Sequence, residues 1–305
     1  MNRSTTSIGT IELVIAMILS GTIGYFVISS EQPLWNVVFF RCVIGAITLG
    51  GYAYFTGMIK SEFFARRVFV FIVIGGIALV ANWILLFASF QYIPFSIATM
   101  AYHMQPLFLV LAGAVLTKDR LSGSLVFWLG MAFIGLFLIV ELDVNEIASL
   151  FNDDQGDVTA LIGLLLALGA AVLYTVATLV AKKVSRVPSQ FVALVQVSIG
   201  IVMLLPFVDF TNLPTHTRQW IDILVLGAVL TGFMYIIMYD SFQRLPTSLI
   251  ALLSFIYPVT ALFVDFIAFS TQISVWQGLG VVMILLAVCA VKFAWTFSFS
   301  LFKNA

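Results

Sequence analysis

The chain has 305 residues, of which 62% are apolar and only 9% are charged, with a formal net charge of zero. Ordinary soluble domains carry roughly 25% charged residues, so this composition excludes a typical soluble domain and favours a protein embedded in a lipid bilayer. Because the net charge is zero, the composition gives no reason to expect a nucleic-acid or acidic partner.

Few residues are available for metal or redox chemistry. His103 and His216 are too isolated for a metal cluster, and Cys42 and Cys289 lie in apolar stretches, which indicates buried thiols rather than a disulfide. We expect no metal and no cofactor.

Apolar runs of about 18 residues or more predict ten transmembrane helices. They lie near residues 8–29, 34–56, 68–90, 95–116, 124–141, 159–181, 189–208, 221–239, 248–269 and 276–296. The first run is followed at once by a second and lacks a small-residue cleavage site. We therefore interpret it as the first helix and not as a signal peptide.

The basic residues predict the orientation in the membrane. Twelve of the 14 Lys and Arg residues fall in the tails or in connections on the same side as the tails, and only Arg218 falls in an opposite connection. We predict a multi-pass protein of the cell (inner) membrane with both termini in the cytoplasm. The acidic connector, residues 142–157, is then extracytoplasmic.

An internal repeat divides the chain. Residues 89–96 (SFQYIPFS) return 152 positions later as residues 241–248 (SFQRLPTS). The same offset pairs Gly75 with Gly227 and Pro106 with Pro258, and an offset of 155 pairs Pro33, Ile44 and Gly45 with Pro188, Ile199 and Gly200.

Five spans per unit is an odd number, so the second unit must enter the membrane upside down. The sequence thus predicts an all-α membrane protein of ten transmembrane helices in two inverted five-helix repeats. The units are residues 1–141 and 158–305, the second with a short cytoplasmic tail, joined by the connector 142–157. Paired inverted units are typical of transporters that work by alternating access.

Several segments in this order resemble one family. They are the second span with Arg41 (VVFFRCVIGA), the fourth span (ATMAYHMQPLFLVLAG), the ninth span (ALLSFIYPVTALF) and the opening of the tenth (WQGLG). Over about residues 8–296 the chain is similar to the drug/metabolite transporter (DMT) superfamily, in its ten-helix EamA-type family. The resemblance implies a carrier of small metabolites, commonly an exporter, for amino acids and related compounds.

Ionisable and polar residues deep in a span are costly and mark candidate sites. Arg41, Asn82 and His103 lie seven or eight residues from the outer ends of the second, third and fourth predicted spans, roughly 10–12 Å below the outer surface. Polar groups at one depth on successive helices predict the wall of an outward-opening cavity. Each has an alternative interpretation: Arg41 could extend to the lipid headgroups or pair with Asp265, Asn82 could join two helices, and His103 could bond a carbonyl.

Further substrate contacts are predicted near these three residues. Trp83, Tyr102 and Gln105 lie at similar depths in the first half. Tyr257 adjoins Pro258 as Gln105 adjoins Pro106, which makes it the corresponding candidate in the second half.

Pro106 and Pro258 are candidate gating residues, because a proline within a span kinks its helix; a static kink required only for packing is the alternative. Glu12, one turn inside the first span, is a candidate for proton coupling, with solvation at the membrane interface as the alternative.

The predicted function is a secondary transporter for small amphipathic metabolites, with amino acids or related carboxylates leading and export favoured. An uptake carrier and a proton-coupled drug or metabolite exporter are the alternatives. A channel would need a ring of charges or carbonyls, and an intramembrane enzyme would need a nucleophile with a base or a metal site; we expect neither catalysis nor catalytic residues. The expected partners are a small-molecule substrate and the lipid bilayer, with no nucleic acid, and the sequence is compatible with a monomer or a homodimer.

The predicted orientation can be tested by cysteine labelling in intact cells. We expect a membrane-impermeant maleimide to label Asp153→Cys, in the extracytoplasmic connector, and to leave Lys60→Cys unlabelled. The reverse pattern would show that the orientation is inverted.

Overall fold

A computed structural model describes residues 3–57, 61–118, 121–141, 156–293 and 295. Residues 142–155 of the predicted connector lie outside this part of the chain. The described residues form helices, turns and loops without a β-strand, so the fold is all-α, as predicted.

Among the described residues, ten helices are long and apolar enough to cross a membrane, as predicted. In chain order they are α1 (Thr5–Ser29), α2 (Leu34–Phe55), α3 (Arg66–Ser89), α4 (Phe95–Leu116), α5 (Gly123–Val140), α6 (Val158–Lys183), α7 (Ser189–Phe207), α8 (Thr217–Arg244), α9 (Thr247–Phe269) and α10 (Val275–Lys292). A short 3₁₀ turn, Ser61–Phe64, precedes α3.

The predicted eighth span, 221–239, is too short at both ends. Charged residues mark the ends of that prediction, but in the structure they are paired and remain inside α8. Arg218 bonds Asp222 at 3.2 Å near one end, and Arg244 bonds Asp240 near the other. A charge satisfied by a neighbour one turn away does not end a helix.

Helix starts recur at the repeat offsets. Pro33, Pro94, Pro188 and Pro246 immediately precede α2, α4, α7 and α9. The first N–H groups of a helix have no partner within the helix, so a proline there, which lacks an N–H, loses no hydrogen bond. Its fixed φ also suits the start of a helix. Ser122 and Ser274, also 152 residues apart, cap α5 and α10 by accepting hydrogen bonds from the backbone amides of Leu125 and Gln277.

Membrane helices α4, α8 and α9 contain irregular segments, in addition to the break of α1 at Thr22 and the 3₁₀ turn Leu205–Phe207 at the end of α7. In α4, Phe95–Tyr102 and Gln105–Thr117 are separate helical segments, and in α9 Phe255 separates Thr247–Ser254 from Ile256–Phe269. Each interruption lies within three residues before a proline, Pro106 or Pro258. In α8, Val225–Phe233 is π-helical.

The helix ends define two sides. The terminal side holds the start of α1 and the end of α10, where Lys292 Nζ donates to Thr10 Oγ1 at 2.7 Å. The opposite, connector side holds the end of α1 and the start of α8, where Ser29 Oγ donates to Asp222 at 2.7 Å.

The contacts of each helix in the first half are repeated by the helix five places later, with the two halves interchanged. Helix α3 packs on α6 and α7, while α8 packs on α1 and α2. Helix α4 packs on α6, and the corresponding helix α9 packs on α1. Three further contacts join a helix to its own counterpart: α2 with α7, α4 with α9, and α5 with α10. These partners are those expected if each helix of the first half corresponds to the helix five places later.

The α5–α10 contact depends on two glycines. A Cβ atom added at Gly135 would lie 2.7 Å from the carbonyl oxygen of Gly280, and one added at Gly280 would lie 2.4 Å from that of Gly135. Such a distance is shorter than a van der Waals contact, so the backbones approach as closely as they do because neither residue has a side chain.

We expect Gly135→Ala to destabilise the protein by about 1–3 kcal/mol through overpacking against backbone. The midpoint temperature of thermal unfolding in detergent should be lower than that of the wild type by at least about 2 °C. Gly130→Ala on the same helix is the matched control, because a Cβ atom there meets nothing within 4 Å. Equal unfolding temperatures for the two variants would contradict the tight α5–α10 contact.

Candidate substrate-binding cavity

A cavity of about 320 Å³ lies between α1, α2, α3, α4, α6, α8 and α9. Its wall extends from residues near the connector-side helix ends, such as Val27, Leu34 and Phe95, to Arg41 and His103 deeper in the membrane. Eight aromatic residues line it: Trp83, Phe87, Phe90, Phe95, Tyr102, Tyr174, Tyr235 and Tyr257. The cavity is therefore an aromatic pocket that reaches the connector side.

Arg41 is the only permanently charged residue among the described residues that line this cavity. It is 9% exposed; its Nε donates to Thr231 Oγ1 at 3.1 Å, and a terminal nitrogen donates to the carbonyl of Leu230 at 3.5 Å. Within the described part of the chain no carboxylate lies within 4 Å of it. The alternative partner, Asp265, is not paired with Arg41; Thr231 of α8 takes that place.

The π-helical segment of α8 presents Thr231 to Arg41. Thr231 Oγ1 donates to the carbonyl of Leu226, five residues earlier, at 2.8 Å, which leaves the oxygen free to accept from the guanidinium. Small residues let the two helices approach: a Cβ atom at Gly45 would lie 2.8 Å from Thr231, and one at Gly227 would lie 2.4 Å from Ile44. A π-segment often marks a functional position in a helix, and here it orients the charged group of the cavity.

His103 is held in one orientation on the opposite wall. Its Nδ1 lies 2.7 Å from the carbonyl of Thr99, which can only accept, so Nδ1 carries the proton. The imidazole stacks on Tyr257 with ring centroids 5.6 Å apart, and Tyr102 stacks on Tyr174 at 6.0 Å. In the neutral imidazole, Nε2 is left as a hydrogen-bond acceptor.

The structure brings seven of the sequence-predicted site residues together around this cavity. They are Arg41, Trp83, Tyr102, His103, Gln105, Pro106 and Tyr257. Pro258 is buried next to Tyr257, outside the cavity lining.

Asn82 does not line the cavity. Its side chain is fully buried, bonds the carbonyl of Leu79 in its own helix and accepts from the hydroxyl of Tyr102 at 3.1 Å. The depth of Asn82 was predicted to place it on the wall, but the helix turns it behind Tyr102, where it supports a lining residue.

Glu12 does not line the cavity and lies toward the terminal side of α1. Its Oε1 accepts from Arg244 at 3.3 Å, and Arg244 also bonds Asp240. Glu12 is thus an ion-pair partner between α1 and α8 rather than a solvated interfacial residue.

Other contacts close the terminal side of the helix bundle. Lys182 Nζ of α6 donates to the carbonyls of Phe242 and Leu245 at the α8–α9 turn. Gln243 of that turn donates to the carbonyl of Val187 at 3.2 Å. The bundle is therefore open toward the connector side and closed toward the terminal side.

The three lining residues of α8, Tyr235, Met234 and Met238, were not predicted as site residues. The repeat contains a signal for the first, since the offset of 152 pairs Tyr235 with Trp83. Nothing in the sequence indicates the π-segment that places Thr231 against Arg41.

Ten helices that can cross a membrane and that surround an internal cavity define a multi-pass membrane protein. Comparison with known proteins agrees. The EamA-like transporter family matches residues 6–141 and 161–293, and the chain belongs to this family.

Relatives and one solved structure support the same assignment. The chain is 29% identical to the uncharacterized transporter YxxF of Bacillus subtilis, over 91% of this chain and 87% of the relative. It is 26% identical to the pseudopaline exporter CntI of Pseudomonas aeruginosa, over 66% of each chain. A crystal structure with 19% identity superposes with a TM-score of 0.80, covering 96% of this chain and 99% of that chain, which shows the same fold.

The Arg41–Thr231 contact can be tested by a double-mutant cycle. Thr231→Val leaves the buried Nε without its acceptor and should destabilise the protein by about 1–3 kcal/mol, seen as a lower unfolding temperature in detergent. Thr231→Ser keeps the hydroxyl and should stay near the wild type. In an Arg41→Met background, Thr231→Val should cost much less; additive effects would show that the two side chains are not coupled.

Proposed function

We propose that this protein is a secondary transporter that exports small amphipathic carboxylates, with amino acids as the leading class, by alternating access. The observation that carries the proposal is Arg41. A guanidinium faces an aromatic cavity inside the membrane, and among the described residues no carboxylate neutralises it.

A charged group in this position needs a counter-charge. A guanidinium inside the membrane is costly unless it is paired, and the hydroxyl and carbonyl that Arg41 bonds supply no negative charge. Arginine presents a planar fork that binds a carboxylate through two hydrogen bonds. The carboxylate of a ligand would supply the negative charge that the described residues do not place beside Arg41.

The rest of the cavity suits the apolar part of such a ligand. Trp83, Tyr102 and Tyr257 offer flat faces, and His103 Nε2 offers an acceptor that an ammonium group can use. A volume of about 320 Å³ falls at the small end of ligand pockets. A small amphipathic acid with an apolar or aromatic side chain fits these properties.

Alternating access is supported by the two halves of the chain. We assign residues 1–141 and 158–305 to two inverted units that rock against each other. With both termini in the cytoplasm, the cavity described here faces the outside, and the contacts of Lys182 and Arg244 close the cytoplasmic side. The excess of basic residues on that side and the name of CntI as an exporter support this orientation and direction.

The proposal is tested by binding of a matched pair of probes to purified protein. L-phenylalanine carries a carboxylate, and phenethylamine is the same molecule without it. We expect Arg41→Gln to weaken L-phenylalanine binding well over tenfold, because a desolvated charge loses its partner at a cost of about 2–5 kcal/mol, and to leave phenethylamine binding within about twofold. Calorimetry measures both.

Arg67→Gln, the same substitution at an exposed residue of α3, is the matched control and should bind both probes as the wild type does. If folded Arg41→Gln protein binds a panel of amino acids as tightly as the wild type, Arg41 is structural and the carboxylate assignment fails. Saturable counterflow of the bound acid in liposomes distinguishes a carrier from a channel.

A further inference from the structure

We propose that Gln196 is a second substrate contact, which meets the substrate when the protein opens to the terminal side. In that state Gln196 has the role that Arg41 has in the cavity open to the connector side. The inference rests on the proposed alternating access and names the binding site of the opposite state.

The repeat relates the two residues. The offset of 155 that pairs Pro33 with Pro188 and Gly45 with Gly200 also pairs Arg41 of α2 with Gln196 of α7. The offset of 152 that relates α3 to α8 pairs Phe87 with Tyr239 and Phe90 with Phe242. Residues that line the cavity together with Arg41 in the first half therefore have defined counterparts in the second half.

The second-half residues are buried in the helix bundle, whereas the corresponding first-half residues line the cavity. Arg41, Phe87 and Phe90 all face the open space. Gln196 is 0% exposed, and Tyr239 and Phe242 are each 2% exposed. The hydroxyl of Tyr239 donates to Gln196 Oε1, so the two polar groups of the closed half lie against each other.

The amide of Gln196 is only half satisfied in this state. Its Nε2 is buried and has no hydrogen-bond partner in the described part of the chain. It lies at the glycine surface of α3, where a Cβ atom at Gly75 would be 2.7 Å from Nε2. A buried donor without an acceptor costs about 1–3 kcal/mol, and a carboxylate that reached Gln196 from the terminal side would provide the acceptor.

Lys182 holds this half closed. Its Nζ bonds the carbonyls of Phe242 and Leu245. The corresponding residue of α1, 155 positions earlier, is Val27, which lines the open cavity and has no polar group to form such a bond. Opening of the terminal side requires Lys182 to release the α8–α9 turn.

The first test measures binding from each side separately. Transport of L-phenylalanine is followed in right-side-out and inverted membrane vesicles. We expect Gln196→Leu to raise the half-saturating concentration at the terminal side at least fivefold and to change it less than twofold at the connector side. Gln190→Leu, the same substitution at a half-buried position of α7, should change neither. Equal effects at both sides, or none, would overturn the proposal.

The second test needs no substrate. In a protein with Cys42→Ala and Cys289→Ser, a membrane-impermeant maleimide added from the terminal side should label Gln196→Cys when Lys182→Met is also present. Lys183→Met is the matched control, because Lys183 lies over the ring of Phe71 instead of the α8–α9 turn. Val197→Cys is equally buried but is turned about 100° around the helix, and it should stay unlabelled.

The two tests separate the possible failures. If no amino acid is bound or moved but Gln196→Cys becomes reactive from the terminal side, the carboxylate assignment fails and the second half of the path stands. If amino acids are transported and Gln196→Cys stays unreactive in the Lys182→Met protein, or reacts from the connector side, the proposal for Gln196 is wrong.

Discussion

The buried guanidinium of Arg41 is the constraint on which the arrangement of the bundle depends. Its position requires a partner from another helix, and the π-segment of α8 supplies Thr231 and the carbonyl of Leu230. That contact in turn requires α2 and α8 to approach closely, which Gly45 and Gly227 permit. Because both partners are neutral, the positive charge is held in place but not cancelled, and it dominates the electrostatics of the cavity.

Under the proposed alternating access, the contacts at the two ends of the bundle identify the helices that would separate when a side opens. On the connector side, α1, α2 and α8 are tied together: Ser29 bonds Asp222, and Asn36 bonds the carbonyls of Asp209 and Asn212 before α8. Phe90 and Phe95, at the α3–α4 turn, line the opening instead. On the terminal side the corresponding α8–α9 turn is held by Lys182. In the proposed alternating access, the turn between the third and fourth helices of each half would be the part that moves.

Most of the fold is predictable from the sequence, because a bilayer requires long apolar helices. Prediction was wrong at the ends of α8, where ion pairs such as Arg218–Asp222 keep charged residues inside the helix. Depth alone placed Arg41 and His103 near each other, but it gives no rotation about the helix axis, and Asn82 faces away from the cavity for that reason. The π-segment of α8 was not predicted, because nothing in the sequence indicates it.

The difference between Arg41 and Gln196 has an energetic reason. In any conformation that opens to one side, the residues of the other half are packed without water. An unpaired buried charge costs about 3–5 kcal/mol, whereas an unpaired amide group costs about 1–3 kcal/mol. Gln196 can therefore stay buried in the empty protein, as it does here. Arg41 would carry the larger cost if the connector side closed over an empty cavity. The carboxylate proposed as ligand would remove that cost, so closure over the ligand would be less costly than closure over the empty cavity.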